Sequence, residues 1–74
     1  MTTRLLLDVM PEYGVLQRVL VTLARRGFDP TELSARRHGE ILRLEMRMEG
    51  PGSVETVVRQ LRGLVPVCAV EVFL

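Results

Sequence analysis

One segment constrains this chain more than any other. From Ile41 to Glu49 the side chains alternate without a break: Leu42, Leu44, Met46 and Met48 are apolar, and Arg43, Glu45, Arg47 and Glu49 are charged. A period of two means a strand with one buried and one solvated face. A strand of that kind belongs in an antiparallel sheet covered on one side, and the remainder of 74 residues has to supply the cover.

The cover comes from two segments with a different period. Between Gly14 and Arg26, Leu16, Val19, Leu20, Leu23 and Ala24 fall on one helical face, and Gln17, Arg18, Thr22, Arg25 and Arg26 fall largely on the other. Arg25-Arg26-Gly27 is a helix stop, with cations at the negative end of the dipole and then a residue that accepts a left-handed conformation. The second helix begins after Gly50-Pro51-Gly52, with Ser53 as N-cap and Glu55 in the first turn. Its inner face is Val54, Val57, Val58 and Leu61, and Gly63 ends it.

The remaining strands flank these helices. Thr3–Met10 is short and rich in Leu and Val. Phe28–Arg37 is more polar, and Pro30, which has no N–H to donate, places it at a sheet edge. His38-Gly39 is a hairpin turn, and Val67–Leu74 is the last strand. The order β-α-β-β-α-β with short links implies two right-handed crossovers. The predicted architecture is an α+β, ferredoxin-like sandwich: four antiparallel strands, two helices on one face, and a single domain over residues 1–74.

A chain this short buries roughly 60% of its unfolded surface, so it gains from an external support. The single cysteine, Cys68, rules out an internal disulfide, and it reads as a small core residue on the last strand. With one histidine, His38, in a solvated turn, no zinc site can be built, and no metal or cofactor is expected. Self-association, or docking on a larger partner, is what remains.

Several functions are excluded. Ten arginines against nine acidic residues give a net charge of +1, too balanced for a nucleic-acid surface. The charged face of Ile41–Glu49 carries no aromatic on which a base could stack. No nucleophile, acid–base pair or metal cluster is arranged, so the chain is not expected to be an enzyme. No apolar run approaches the ~20 residues of a membrane span. Leu5-Leu6-Leu7 is broken by Asp8, so no signal peptide is expected and the protein should be soluble and cytoplasmic.

The one place with chemical potential is the first strand-to-helix turn, Met10, Pro11, Glu12, Tyr13, Gly14 and Val15. A helix start of this kind offers unpaired backbone N–H groups to a carboxylate or phosphate. The run Tyr13-Gly14-Val15-Leu16-Gln17-Arg18-Val19, followed by Arg25-Arg26-Gly27-Phe28-Asp29, resembles the ACT domain family. Gln60-Leu61-Arg62-Gly63-Leu64-Val65-Pro66-Val67, passing into Ala69-Val70-Glu71-Val72, resembles that family's closing helix and strand. Among its members the chain is most similar to the regulatory small subunit of acetolactate (acetohydroxyacid) synthase.

That resemblance implies a homodimer paired side by side into an eight-stranded sheet, with amino-acid effectors bound at the junction. It places the turn Met10–Val15 of one chain opposite Asp29 and Pro30 of the other. The helix start would take an α-carboxylate and Asp29 the ammonium, with Leu33 and Val15 as an apolar wall for a branched-chain effector. The implied partner is a large thiamine-diphosphate-dependent catalytic subunit, activated by this chain. Pro11 departs from the pattern. Members that bind valine well carry an asparagine there, so valine sensitivity should be weak or absent, as in the short, single-domain small subunits. The alternatives are a free-standing amino-acid sensor acting on another partner, and a purely structural dimerisation module. Leu6, Met10, Ala69 and Phe73 are expected to form an apolar docking patch on the open sheet face.

Overall fold

A computed structural model describes residues 2–73. Its elements follow the expected order: β1 Thr2–Val9, α1 Val15–Arg25, β2 Asp29–His38, β3 Ile41–Glu49, α2 Val54–Arg62 and β4 Val67–Phe73. Leu74, expected in the last strand, lies outside the described residues, as does Met1. The four strands form one sheet in the order β2-β3-β1-β4, and every neighbouring pair is antiparallel. This is the ferredoxin-like βαββαβ arrangement. Pro30 lies in β2, and β2 is an edge strand, as its missing N–H requires.

The register carries the β3 alternation across the sheet. Leu44 pairs with Leu7 and Met46 with Leu5, and these side chains face the helices. Val70 and Val72 of β4 continue the same rows. Together with Val9, Val15, Val19, Leu23, Phe28, Met48, Val57, Val58 and Leu61 they build the core. On the other face, Arg43 pairs with Asp8, Arg47 with Arg4, and Glu45 with Leu6.

The two helices end and begin as their sequences dictate. At the end of α1 the Gly27 N–H bonds the Ala24 carbonyl, and the Phe28 N–H bonds the Leu23 carbonyl. That pair of bonds is a Schellman motif, with Gly27 at φ 84° and the buried Phe28 set on Leu23. The Gly50-Pro51-Gly52 break packs directly on this corner. At the start of α2 the Ser53 hydroxyl accepts from the Thr56 N–H at 3.2 Å. Gly63 also ends α2, but with an ordinary right-handed φ of −81°, so no left-handed cap is needed there.

Two expectations about burial are corrected. Ala24 is exposed, because α1 buries the Val15, Val19, Leu23 row and leaves the flank holding Ala24 outside. Cys68 is exposed as well. Asp8 pairs with Ala69 while Val9 pairs with Val67, so Cys68 is the extra residue of a β-bulge rather than a rung of the core ladder.

Candidate functional site

The β1–α1 turn is held from below by two short bonds. The Met10 N–H donates to the Pro66 carbonyl at 2.7 Å, tying the turn to the α2–β4 loop. The Glu12 N–H donates to the Met10 carbonyl at 2.8 Å, closing a tight bend around Pro11, whose ring fixes φ. Tyr13 is fully exposed, and Met10 and Val65 are also exposed.

Gly14 then turns the chain into the helix with φ 79° and ψ 3°, a left-handed conformation that a β-carbon disfavours. In contrast to α2, α1 has neither a capping side chain nor an acidic residue in its first turn. The Val15 N–H bonds the Glu12 carbonyl at 3.1 Å. The N–H groups of Tyr13, Gly14, Leu16 and Gln17 find no acceptor among the described residues. These four donors lie at the positive end of the helix dipole, where negative charge is stabilised.

Val15 belongs to the scaffold instead. Its side chain is buried in the core and its N–H is already bonded, which removes it as an apolar wall. Leu33 is exposed on β2. Asp29 and Pro30 are exposed too, but they lie at the other end of the sheet: Asp29 pairs with Glu49, which pairs with Thr2, whereas the turn follows Val9. Seven register steps at about 3.4 Å put the turn and Asp29 about 24 Å apart in one chain. A single copy therefore does not bring the two halves of the expected site together.

The open sheet face carries mixed charge. Arg43 grips Asp8 with Nε to Oδ1 at 2.8 Å and Nη2 to Oδ2 at 3.1 Å. That bidentate bond holds the Asp8 carboxyl below its ordinary value, against an opposing push from burial, and raises Arg43 further. Arg47 and Glu32 form a looser pair at 3.7 Å. Arg4 sits over the Phe73 ring, 5.5 Å from its centroid. Leu6, Ala69 and Phe73 do share this face, but Glu71, Arg4 and Asp8 stand between them and Met10 lies past the end of β1, so the expected patch is broken by charge. His38 is exposed at the end of β2. Among the described residues no group of His, Cys, Asp and Glu could hold a metal, and no helix is long and apolar enough to cross a membrane.

Two features escaped the sequence reading. The approach of Pro66 to the turn is a contact between distant segments, legible only through the adjacency of β1 and β4. The Asp8–Arg43 pair needed the β1–β3 register.

Residues 11–70, from Pro11 in the turn through Val70 in β4, match the family model of the ACT domain. The chain belongs to the ACT domain family. Its fold is similar to that of the ACT domain from the GTP pyrophosphokinase of Chlorobium tepidum. The crystal structure of that domain has a TM-score of 0.81 at 11% identity, covering 99% of this chain and 97% of the other. The solution structure has a TM-score of 0.70 at 8% identity, covering 99% and 85%. At such identities the likeness is one of fold. No curated protein sequence matches the chain significantly. In this ACT domain the turn at Tyr13 and the whole of β2 are exposed outside the packed core.

Proposed function

We propose that this ACT domain is a non-catalytic regulatory subunit that works as a side-by-side dimer. In this reading it docks on the thiamine-diphosphate-dependent catalytic subunit of acetohydroxyacid synthase, raises its activity, and has weak or no response to valine. The observation that carries the regulatory, dimeric part is β2. All ten of its residues are exposed although it lies within the sheet of a small domain. Leu33 and Ala35 on its helix side have little above them. On α1, Leu16, Leu20 and Ala24 run down the flank opposite the one that meets Leu64, which leaves them over the same uncovered half. A second copy laid antiparallel along β2 would cover both strips.

The same apposition accounts for the split site. β2 ends at His38 on the turn side of the sheet and begins at Asp29 on the far side. An antiparallel partner brings its Asp29 and Pro30 to the turn side of the first copy. A carboxylate on the open N–H groups near Gly14 would then lie within reach of a partner carboxylate that takes its ammonium. Pro11 lacks both an N–H and a side-chain amide, which supports a weakened grip on such an effector.

The synthase as partner is supported by the motifs around Gly14, Arg26-Gly27-Phe28 and Gln60–Val67. Purified catalytic subunit should gain activity on addition of this chain and co-elute with it; unchanged activity refutes this partner. The second reading is a free-standing amino-acid sensor acting on another protein. It is favoured by the uncapped α1 start, and by a fold neighbour that belongs to a GTP pyrophosphokinase, since one fold serves different partners. Calorimetry with valine, leucine, isoleucine and serine separates the two: tight binding without any synthase selects the sensor.

A further inference from the structure

An open four-stranded sheet has two edges, here β2 and β4. If both accepted a strand, β2 of one copy would pair with β4 of the next, and that head-to-tail contact would grow without closing. Pairing through β2 alone, the reading proposed above and the one on which this inference rests, leaves a β4 edge at each end of the eight-stranded sheet. Something has to keep those ends from joining.

We infer that Arg62 and the Cys68 bulge close the β4 edge to strand addition, so that edge-to-edge assembly of this chain stops at two copies. Arg62 Nη2 donates to the Val70 carbonyl at 3.2 Å, in the middle of β4. Arg62 is exposed, whereas Leu7 and Val70, which pair across β1 and β4, are buried. The Met10 N–H points to β4, so by alternation the polar groups of Leu7 point away from β4. Leu7 and Val70 thus form a rung without hydrogen bonds, and the Val70 carbonyl faces the outer rim where the guanidinium meets it. A charged donor holds a carbonyl more firmly than an incoming amide would, and a new strand has to displace it.

The bulge shortens what is left. The ladder to β1 shifts between Asp8 and Val9, so only Ala69 to Phe73 keeps an unbroken register, with the guarded Val70 inside that run. Above the same rim α2 presents Glu55, Arg59 and Arg62 around a shallow groove floored by Val54, Val58 and Val72. β2 is different. It has a register shift of its own, between Pro30 and Glu32, but beyond it the ladder to β3 runs unbroken from Glu32 to His38, and among the described residues no side chain of another element bonds its backbone.

Sedimentation velocity of the full chain over a range of concentrations tests this. The wild type should stop at the mass of a dimer. Arg62→Met, which keeps the aliphatic stem but no donor, and Arg62→Ala should both form species larger than a dimer that grow with concentration, and Arg62→Lys should restore the dimer limit. Adding Leu33→Lys on β2 should reduce the growing species to pairs at most. If both donor-free variants stay folded by circular dichroism and stop at the dimer, the guard is overturned while β2 pairing stands. A wild type that stays monomeric at every concentration refutes β2 pairing, and the guard is then decided by whether the donor-free variants alone begin to associate. Should both variants unfold, amide exchange in the wild type decides: slow exchange along Ala69–Phe73 that depends on concentration would overturn the guard, and exchange independent of concentration supports it.

Discussion

The turn that opens α1 can be separated from the rest of the scaffold by two glycine substitutions whose costs have different origins. Gly14 has φ 79°, and a β-carbon built there meets no atom within 4 Å. Gly14→Ala therefore costs backbone strain alone, roughly 1–2 kcal/mol for an L-residue held left-handed. In a domain of this size each kcal/mol moves Tm by about 4–8 °C, so a fall of about 4–16 °C is expected. Gly52 is the converse. Its φ is ordinary, but a β-carbon would lie 1.9 Å from the Arg26 carbonyl oxygen and 2.7 Å from Phe28 Cε2. The Arg26 carbonyl sits at the end of α1, beside the Schellman bonds of Gly27 and Phe28, so it cannot retreat without opening that corner. Gly52→Ala should cost at or above the upper end of the roughly 1–3 kcal/mol typical of overpacking. Urea denaturation of both variants at one fixed protein concentration measures the pair, since self-association makes stability depend on concentration. Gly14→Asn serves as the third arm, because asparagine tolerates the left-handed region and should lose less than alanine. A Gly14→Ala variant as stable as wild type, or one less stable than Gly52→Ala, would refute the assignment of strain to Gly14 and of contact to Gly52.

Three further outcomes are expected. Asp8 has its carboxyl held below the ordinary value by Arg43, so its contribution is fully present above the unfolded-state value of about 4 and is lost as pH falls through the lower folded value. Asp8→Asn should flatten the stability profile below about pH 4 and leave its shape near neutrality unchanged, as read from denaturation midpoints across that range. Leu61 is completely buried, and Leu61→Ala should cost about 2–5 kcal/mol, enough to leave a domain this small partly unfolded by circular dichroism. Pro11→Asn adds back an N–H and an amide at the bend. Calorimetry with valine should then register tighter binding by about tenfold, the worth of one further hydrogen bond to a carboxylate; unchanged binding would remove Pro11 as the reason for a weak effector response.

Much of this ACT domain was legible along the chain because the controlling interactions are local. The alternation of Ile41–Glu49 gave the two faces of β3, the Ser53 cap and the Arg25-Arg26-Gly27 stop gave helix limits, and Pro30 placed β2 at an edge. Ala24 was misread because a helical stripe says which side of α1 is apolar but not how far β2 extends beneath it. Cys68 was misread because a bulge is a property of two strands in register, Asp8-Val9 against Val67–Ala69, and leaves no mark on either strand alone.

The sequence by itself determined the order of elements, the buried face of β3 and the glycine turn at Gly14, since propensity, period and capping act over a few residues. Only the tertiary structure decided that the turn and Asp29 lie at opposite ends of one sheet, that Arg43 finds Asp8, and that Arg62 bonds the Val70 carbonyl on β4. Those facts depend on strand order and register, which join residues tens of positions apart, and it is they that keep the two halves of the expected site apart within one copy of the chain.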